Sequence, residues 1–159
     1  MITDFRCDFA GGFPSLHYLD LSGNRLAHVP KGVLNLPKVR TLHLSYNNIA
    51  DVSVLWNPKI LTEIEVIDVS NNKIMEISDD VYNRVGLNYL NVENNSLTKI
   101  PTVLGFMKLS GLKIDGNPLK LIKRTVIDKG TVSILDYLRT KHVGDPPAPQ
   151  TVKEKPPEP

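Results

Sequence analysis

The chain is poor in cysteine, in aromatics and in net charge, and each shortage removes a class of protein. Its 159 residues include one cysteine, Cys7, one tryptophan and 6% aromatics. A lone thiol excludes an intramolecular disulfide and fits a reducing compartment. A formal net charge of +2 is too close to neutral to point to nucleic acid. No stretch approaches the ~20 apolar residues that span a bilayer. The opening segment MITDFRCDFAGGFPS has no basic region followed by an apolar run, so it does not read as a secretory signal. The sequon at Asn94-Asn95-Ser96 is accordingly expected to be unused, and the chain reads as cytoplasmic.

Catalytic patterns are missing as well. There is no nucleophile elbow, no phosphate-cradling glycine loop and no Cys/His pair. The four histidines, His17, His28, His43 and His142, are not spaced as metal ligands beside a cysteine or carboxylate cluster. Neither an enzyme nor a cofactor or metal site is expected.

What the chain does have is repetition. Five segments superpose without gaps: LHYLDLSGNRL from Leu16, VRTLHLSYNNI from Val39, IEVIDVSNNKI from Ile64, LNYLNVENNSL from Leu87 and LSGLKIDGNPL from Leu109. Each fits L-x-x-L-x-L-x-x-N-x-L with Val or Ile replacing Leu, and successive repeats are 22 to 25 residues apart. This is the consensus and period of leucine-rich repeats. The expected fold is therefore an α/β solenoid: a short curved arc with a parallel sheet on its concave face and irregular, 3₁₀ or short helical returns on its convex side.

Alternation within a repeat assigns the faces. Leu19 and Leu21 lie two apart and point into the core, so Tyr18, Asp20 and Ser22 point to solvent. Aligned outward positions form three columns: Tyr18, Thr41, Val66, Tyr89, Gly111; Asp20, His43, Asp68, Asn91, Lys113; and Ser22, Ser45, Ser70, Glu93, Asp115. Tyrosine beside carboxylate and amide is interface chemistry. Tyr18, Asp20, His43, Tyr46, Asp68, Asn71, Tyr89, Asn91 and Glu93 are the expected partner-binding residues of the concave face. The aligned Asn24, Asn47, Asn72, Asn95 and Asn117 are expected to form a structural ladder, each carboxamide satisfying backbone groups between repeats. Loss of one should cost about 1–3 kcal/mol.

The ends differ from the middle. Residues 1–15 resemble the second half of a repeat, with Ile2, Phe5, Phe9 and Phe13-Pro14 on the spacing of the next unit. They suggest either a piece of a longer array or a segment folded over the open end. Residues 16–119 hold the five repeats. Residues 120–142 read as a C-terminal helical cap, with Gly130 ending one turn, Thr131 capping the next, and Ile134, Leu135 and Leu138 as the buried stripe. Residues 120–141 carry six basic and two acidic residues, read as a solvated face. Residues 143–159 hold six prolines and read as a disordered tail.

The segments LAHVP and LTKIP and the ending GNPLKLIKRTVIDKGTVSILDYLR resemble cytosolic leucine-rich-repeat proteins of the Ras-scaffold type over residues 16–141. That resemblance implies a non-catalytic scaffold or adaptor with a protein partner, such as a small GTPase, a phosphatase subunit or a cytoskeletal protein. It implies neither nucleic acid nor membrane as ligand. The alternatives are a structural subunit of a larger assembly, or the recognition arm of an enzyme whose catalytic domain lies elsewhere.

Overall fold

A computed structural model describes residues 13–148. Ile2, Phe5, Cys7 and Phe9 lie outside the described residues, as does the tail from Pro149 onward. Each repeat places a three-residue strand at its aligned core: β1 Tyr18–Asp20, β2 Thr41–His43, β3 Val66–Asp68, β4 Tyr89–Asn91 and β5 Gly111–Lys113. They pair in chain order in one parallel sheet. Register is constant across the seams: Tyr18 faces Thr41, Thr41 faces Val66, Val66 faces Tyr89 and Tyr89 faces Gly111. No such strand would persist alone. Burial of Leu42, Leu44, Ile67, Val69, Leu90 and Val92 at 0% exposure holds the stack together.

The convex returns carry 3₁₀ turns at Lys31–Asn35, Ser53–Trp56, Asp79–Asn83 and Thr102–Phe106. Pro30 and Pro101 directly precede two of them, where a fixed φ and a missing donor end the extended run. The longer repeat absorbs its two extra residues after Trp56, through buried Leu61 at φ 44°. Two features hold that detour. Trp56 is 1% exposed and fills the repeat's interior, and Arg84 reaches in from the next return. The residue is only 4% exposed, and its guanidinium donates to the carbonyls of Leu55, Ile60 and Leu61. Burial pushes its pKa down to about 10, so it is still a cation at neutral pH.

The asparagines form a ladder along the seam. Asn47 accepts from the amide of Leu26 at 3.0 Å and donates to the carbonyls of Leu21, Leu44 and Ser45. Asn72 does the same with the amide of Ile49 and the carbonyls of Leu44, Val69 and Ser70. Asn95 and Asn117 repeat it one and two seams on. Asn24 donates to the carbonyls of Leu21 and Ser22 in the same local way.

The cap follows from two close approaches. Helix α1 spans Arg124–Ile127 and α2 spans Thr131–Lys141, burying Ile134, Leu135 and Leu138. Thr131 does not cap α2 with its side chain, contrary to the sequence reading. The N-cap is Gly130 at φ 83°, and the Thr131 hydroxyl instead accepts the amide of Leu112 at 3.0 Å. That amide lies on the outer edge of β5, where no sixth strand pairs with it among the described residues, so the hydroxyl closes the sheet edge. Gly105 lets α2 lie against the last 3₁₀ turn: a Cβ there would sit 2.8 Å from the Leu135 carbonyl oxygen and 2.9 Å from the Arg139 Cα. Gly105→Ala should therefore lower stability by about 2–3 kcal/mol, read by thermal denaturation, because only backbone can yield.

The tail begins with a held stretch. His142 packs edge-on to Phe106, with ring centroids 5.1 Å apart, and its Nδ1 lies 2.9 Å from Thr102 Oγ1. The Tyr82 hydroxyl donates to the Ala148 carbonyl at 2.9 Å. Residues 142–148 thus run back from the cap to the third return, where the sequence suggests a free linker from Val143 onward.

Candidate protein-binding surface

The constant register brings the middle column together across four strands. The Tyr18 and His43 rings are 5.5 Å apart at 41°. His43 Nδ1 lies 3.8 Å from Asp68 Oδ2, and Asn91 Nδ2 donates to the same oxygen at 3.3 Å. The other ends of these side chains are also held. Asp20, Asp68 and Asn91 each accept from the amide two residues on, at 2.8, 2.9 and 3.0 Å. Such turns lead the chain off the strand and fix the acceptors in place.

Electrostatics follow from those contacts. The hydroxyl and amide of Ser22 hold the Asp20 carboxyl below its usual range, with His43 and Tyr18 adding to the effect. Burial pushes the Tyr89 phenol up, and the nearby Asp68 and Glu93 carboxylates push it further. Its ring lies where a side chain on Gly111 would stand, so glycine in β5 lets Tyr89 spread across the next strand. The centre of the face is thus an acidic and amide row bordered by Tyr18 and Tyr89. Arg40 lies to one side, paired with Glu63 and Glu65 at 3.3 and 3.5 Å.

Of the residues singled out from the sequence, Tyr18 and Tyr46 are open, at 56% and 65% exposure. Asp20 is exposed, and His43, Asp68, Asn71, Tyr89 and Glu93 are half-buried. Asn91 is buried, and its amide serves Asp68 and Glu93, so it supports the surface from beneath.

Tyr46 has a backbone role besides its place on the surface. The residue before each ladder asparagine is left-handed: Gly23 at φ 68°, Tyr46 at 54°, Asn71 at 54°, Asn94 at 53° and Gly116 at 69°. The first four donate their amides to Ser45, Ser70, Glu93 and Asp115 of the next repeat, at 2.8–3.0 Å. Glycine and asparagine adopt this conformation readily, while a bulky side chain costs about 1–2 kcal/mol. Tyr46→Asn should raise stability by about 0.5–1 kcal/mol in urea denaturation. The signal is in the sequence as the column Gly, Tyr, Asn, Asn, Gly.

Among the described residues no group of three or more His, Cys, Asp or Glu side chains is placed to hold a metal ion. No helix there is long and apolar enough to cross a membrane.

Comparison with known proteins places the fold. Residues 14–66 match the sequence profile of the family described as Leucine rich repeat. Over 67% of the chain it is 37% identical to Toll-like receptor 6 of Dasypus novemcinctus, of which it spans 13%. Over 68% it is 30% identical to lumican of Rattus norvegicus, of which it spans 40%. A solved leucine-rich-repeat protein of Leptospira interrogans superposes with a TM-score of 0.66 at 29% identity, over 80% of this chain and 32% of that one. None of these is named for a catalytic activity, and domains of this kind generally mediate protein–protein interaction. The finer likeness to Ras scaffolds gains no support from these relatives. Repeat pattern, sheet and relatives agree: this chain forms a leucine-rich-repeat solenoid.

Proposed function

We propose that the concave sheet binds a protein partner and that the chain acts as a non-catalytic scaffold or adaptor. The observation that carries this is the held row of Tyr18, His43, Asp68 and Asn91 across four strands. Side chains already fixed by neighbours lose little freedom on binding, which lowers the cost of association. Exposed Tyr18 and Tyr46 beside it are the aromatic anchors that interface centres favour. The strain kept at Tyr46 is consistent with selection for its side chain rather than for stability.

A small GTPase, a phosphatase subunit or a cytoskeletal protein is the kind of partner that the resemblance to Ras-scaffold proteins implies. Cytoplasmic residence rests on the single thiol. Because the chain spans 13% and 40% of the relatives named above, it also fits the role of recognition arm in a longer protein. Photo-crosslinking tests the assigned face. A photoreactive phenylalanine analogue replacing concave Thr41 should trap a partner, while the same analogue replacing convex Ser53 should not. Crosslinks from Ser53 alone would move the interface to the convex side.

A further inference from the structure

The basic C-terminal end has no part in the concave reading, and it carries a cavity of its own. Between the last full return and the cap lies a notch of about 280 Å³. Its apolar walls include Ile100, Leu119, Ile122 and Leu138, and Tyr137 lines it beside them. Tyr137 is fixed there, its hydroxyl donating to the Leu121 carbonyl at 2.5 Å. Leu121 itself is 75% exposed at the notch.

Two lysines complete the lining, Lys99 and Lys141. Lys141 Nζ stands 5.5 Å from the centroid of the Tyr137 ring. Lys99 makes a 3.4 Å pair with Glu76, with both side chains about two-thirds exposed, so it is readily exchanged. The cap's own acids do not neutralise the region: Asp128 pairs with Arg124, and Asp136 with Arg139. Lys120, Lys123, Lys129 and Lys141 have no ion pair among the described residues. Lys120 and Lys123 adjoin the lining residues Leu119, Leu121 and Ile122 in the chain.

We propose that this notch is a second docking site, independent of the concave face, which takes an acidic peptide inserting one bulky apolar side chain. The volume lies at the lower end of the ~300–1,000 Å³ of ligand pockets, enough for a bulky side chain and too little for a longer folded segment. Unpaired lysines select carboxylates around that anchor, and the apolar walls select the anchor itself. Ile100, Ile122 and Leu138 are buried and Leu121 is the one exposed apolar residue of the lining, so the notch takes in a side chain and presents less protruding apolar surface than a lipid contact uses. None of residues 142–148 lines the notch, so the held part of the tail leaves it open.

The test is fluorescence anisotropy with a labelled peptide, acetyl-EEDLFDEE-amide, followed by amide shift mapping on isotope-labelled protein. Binding should weaken by about tenfold when Leu-Phe in the peptide becomes Ser-Ser, and again by about tenfold in a Lys99→Glu/Lys141→Glu variant. Shifts should centre on Thr98, Ile122 and Leu138. Both lysines are at the surface, and an unchanged melting curve keeps the variant interpretable. Equal binding of the serine peptide overturns the proposal, because charge alone would then account for capture. Wild-type affinity in the double variant, or shifts confined to the concave face, overturns it as well. So does retention on phosphatidylserine vesicles without peptide binding, which would make the basic end a membrane contact.

Discussion

Replacing Arg84 by alanine should destabilise the protein by about 2–4 kcal/mol at neutral pH. The guanidinium is the donor that the carbonyls of Leu55, Ile60 and Leu61 share at the detour of the longer repeat. Hydrogen bonds to a charged donor are worth about 1.5–3 kcal/mol each when removal strands a buried acceptor. The gain is not additive here. The buried cation has no carboxylate partner among the described residues, and its Nη2 has no acceptor, so part of its desolvation is uncompensated. Arg84→Met fills the volume without the donors and should recover less than half of the loss. Urea denaturation of the three proteins decides the matter. If methionine matches arginine, packing rather than hydrogen bonding holds the detour.

Asn95→Ala should cost about 3 kcal/mol, more than the same change at Asn72. Asn95 is 8% exposed, so water cannot easily replace it. Its loss strands the Ile74 amide and the carbonyls of Val69, Val92 and Glu93 together. Asn72 makes an equivalent set of bonds but is only half-buried, and about 2 kcal/mol is expected there. Asn95→Asp should be worse than alanine at neutral pH, since a carboxylate would face three carbonyl oxygens with no proton to share. A smaller cost for Asn95 than for Asn72 would contradict the account. In a solenoid each repeat leans mainly on its neighbours, so the variant should also broaden the unfolding transition.

The sheet was legible because its signal repeats. Leucine spacing located each of the strands, and aligned outward positions became paired residues from Tyr18 to Gly111. The asparagine ladder followed from chemistry, since a carboxamide carries two N–H donors and an acceptor on one short side chain. The cap helix was visible as the stripe Ile134, Leu135 and Leu138.

Single, non-repeating contacts were not legible. Arg84 is one arginine in a return, and nothing in its neighbours announces that the loop before it needs three carbonyls satisfied. Thr131 looks like a helix cap in the sequence, but the open edge of β5 competes for its hydroxyl and wins it. Gly105 reads as an ordinary return residue until α2 is laid against it. Each depends on two segments far apart in the chain, and local pattern carries no record of such meetings.

The same distinction applies to the binding surface. Which side chains face outward was readable, whereas how they hold one another was not. Asp68 shows this: one oxygen ends its own strand through Ser70, and the other receives Asn91 and lies near His43. Asn91, expected to meet the partner, instead braces the row from below.

The central claim is that this row is where a partner binds, and a three-residue variant tests it most directly. Tyr18→Ser and His43→Ser remove the aromatic and imidazole groups, and Asp68→Asn removes charge while keeping an acceptor for Ser70. Capture of a partner from native lysate would be compared between wild type and variant, after melting curves show the fold unchanged. The account predicts a partner held by wild type and lost by about tenfold or more in the variant. Equal capture of that partner by a folded variant would contradict it.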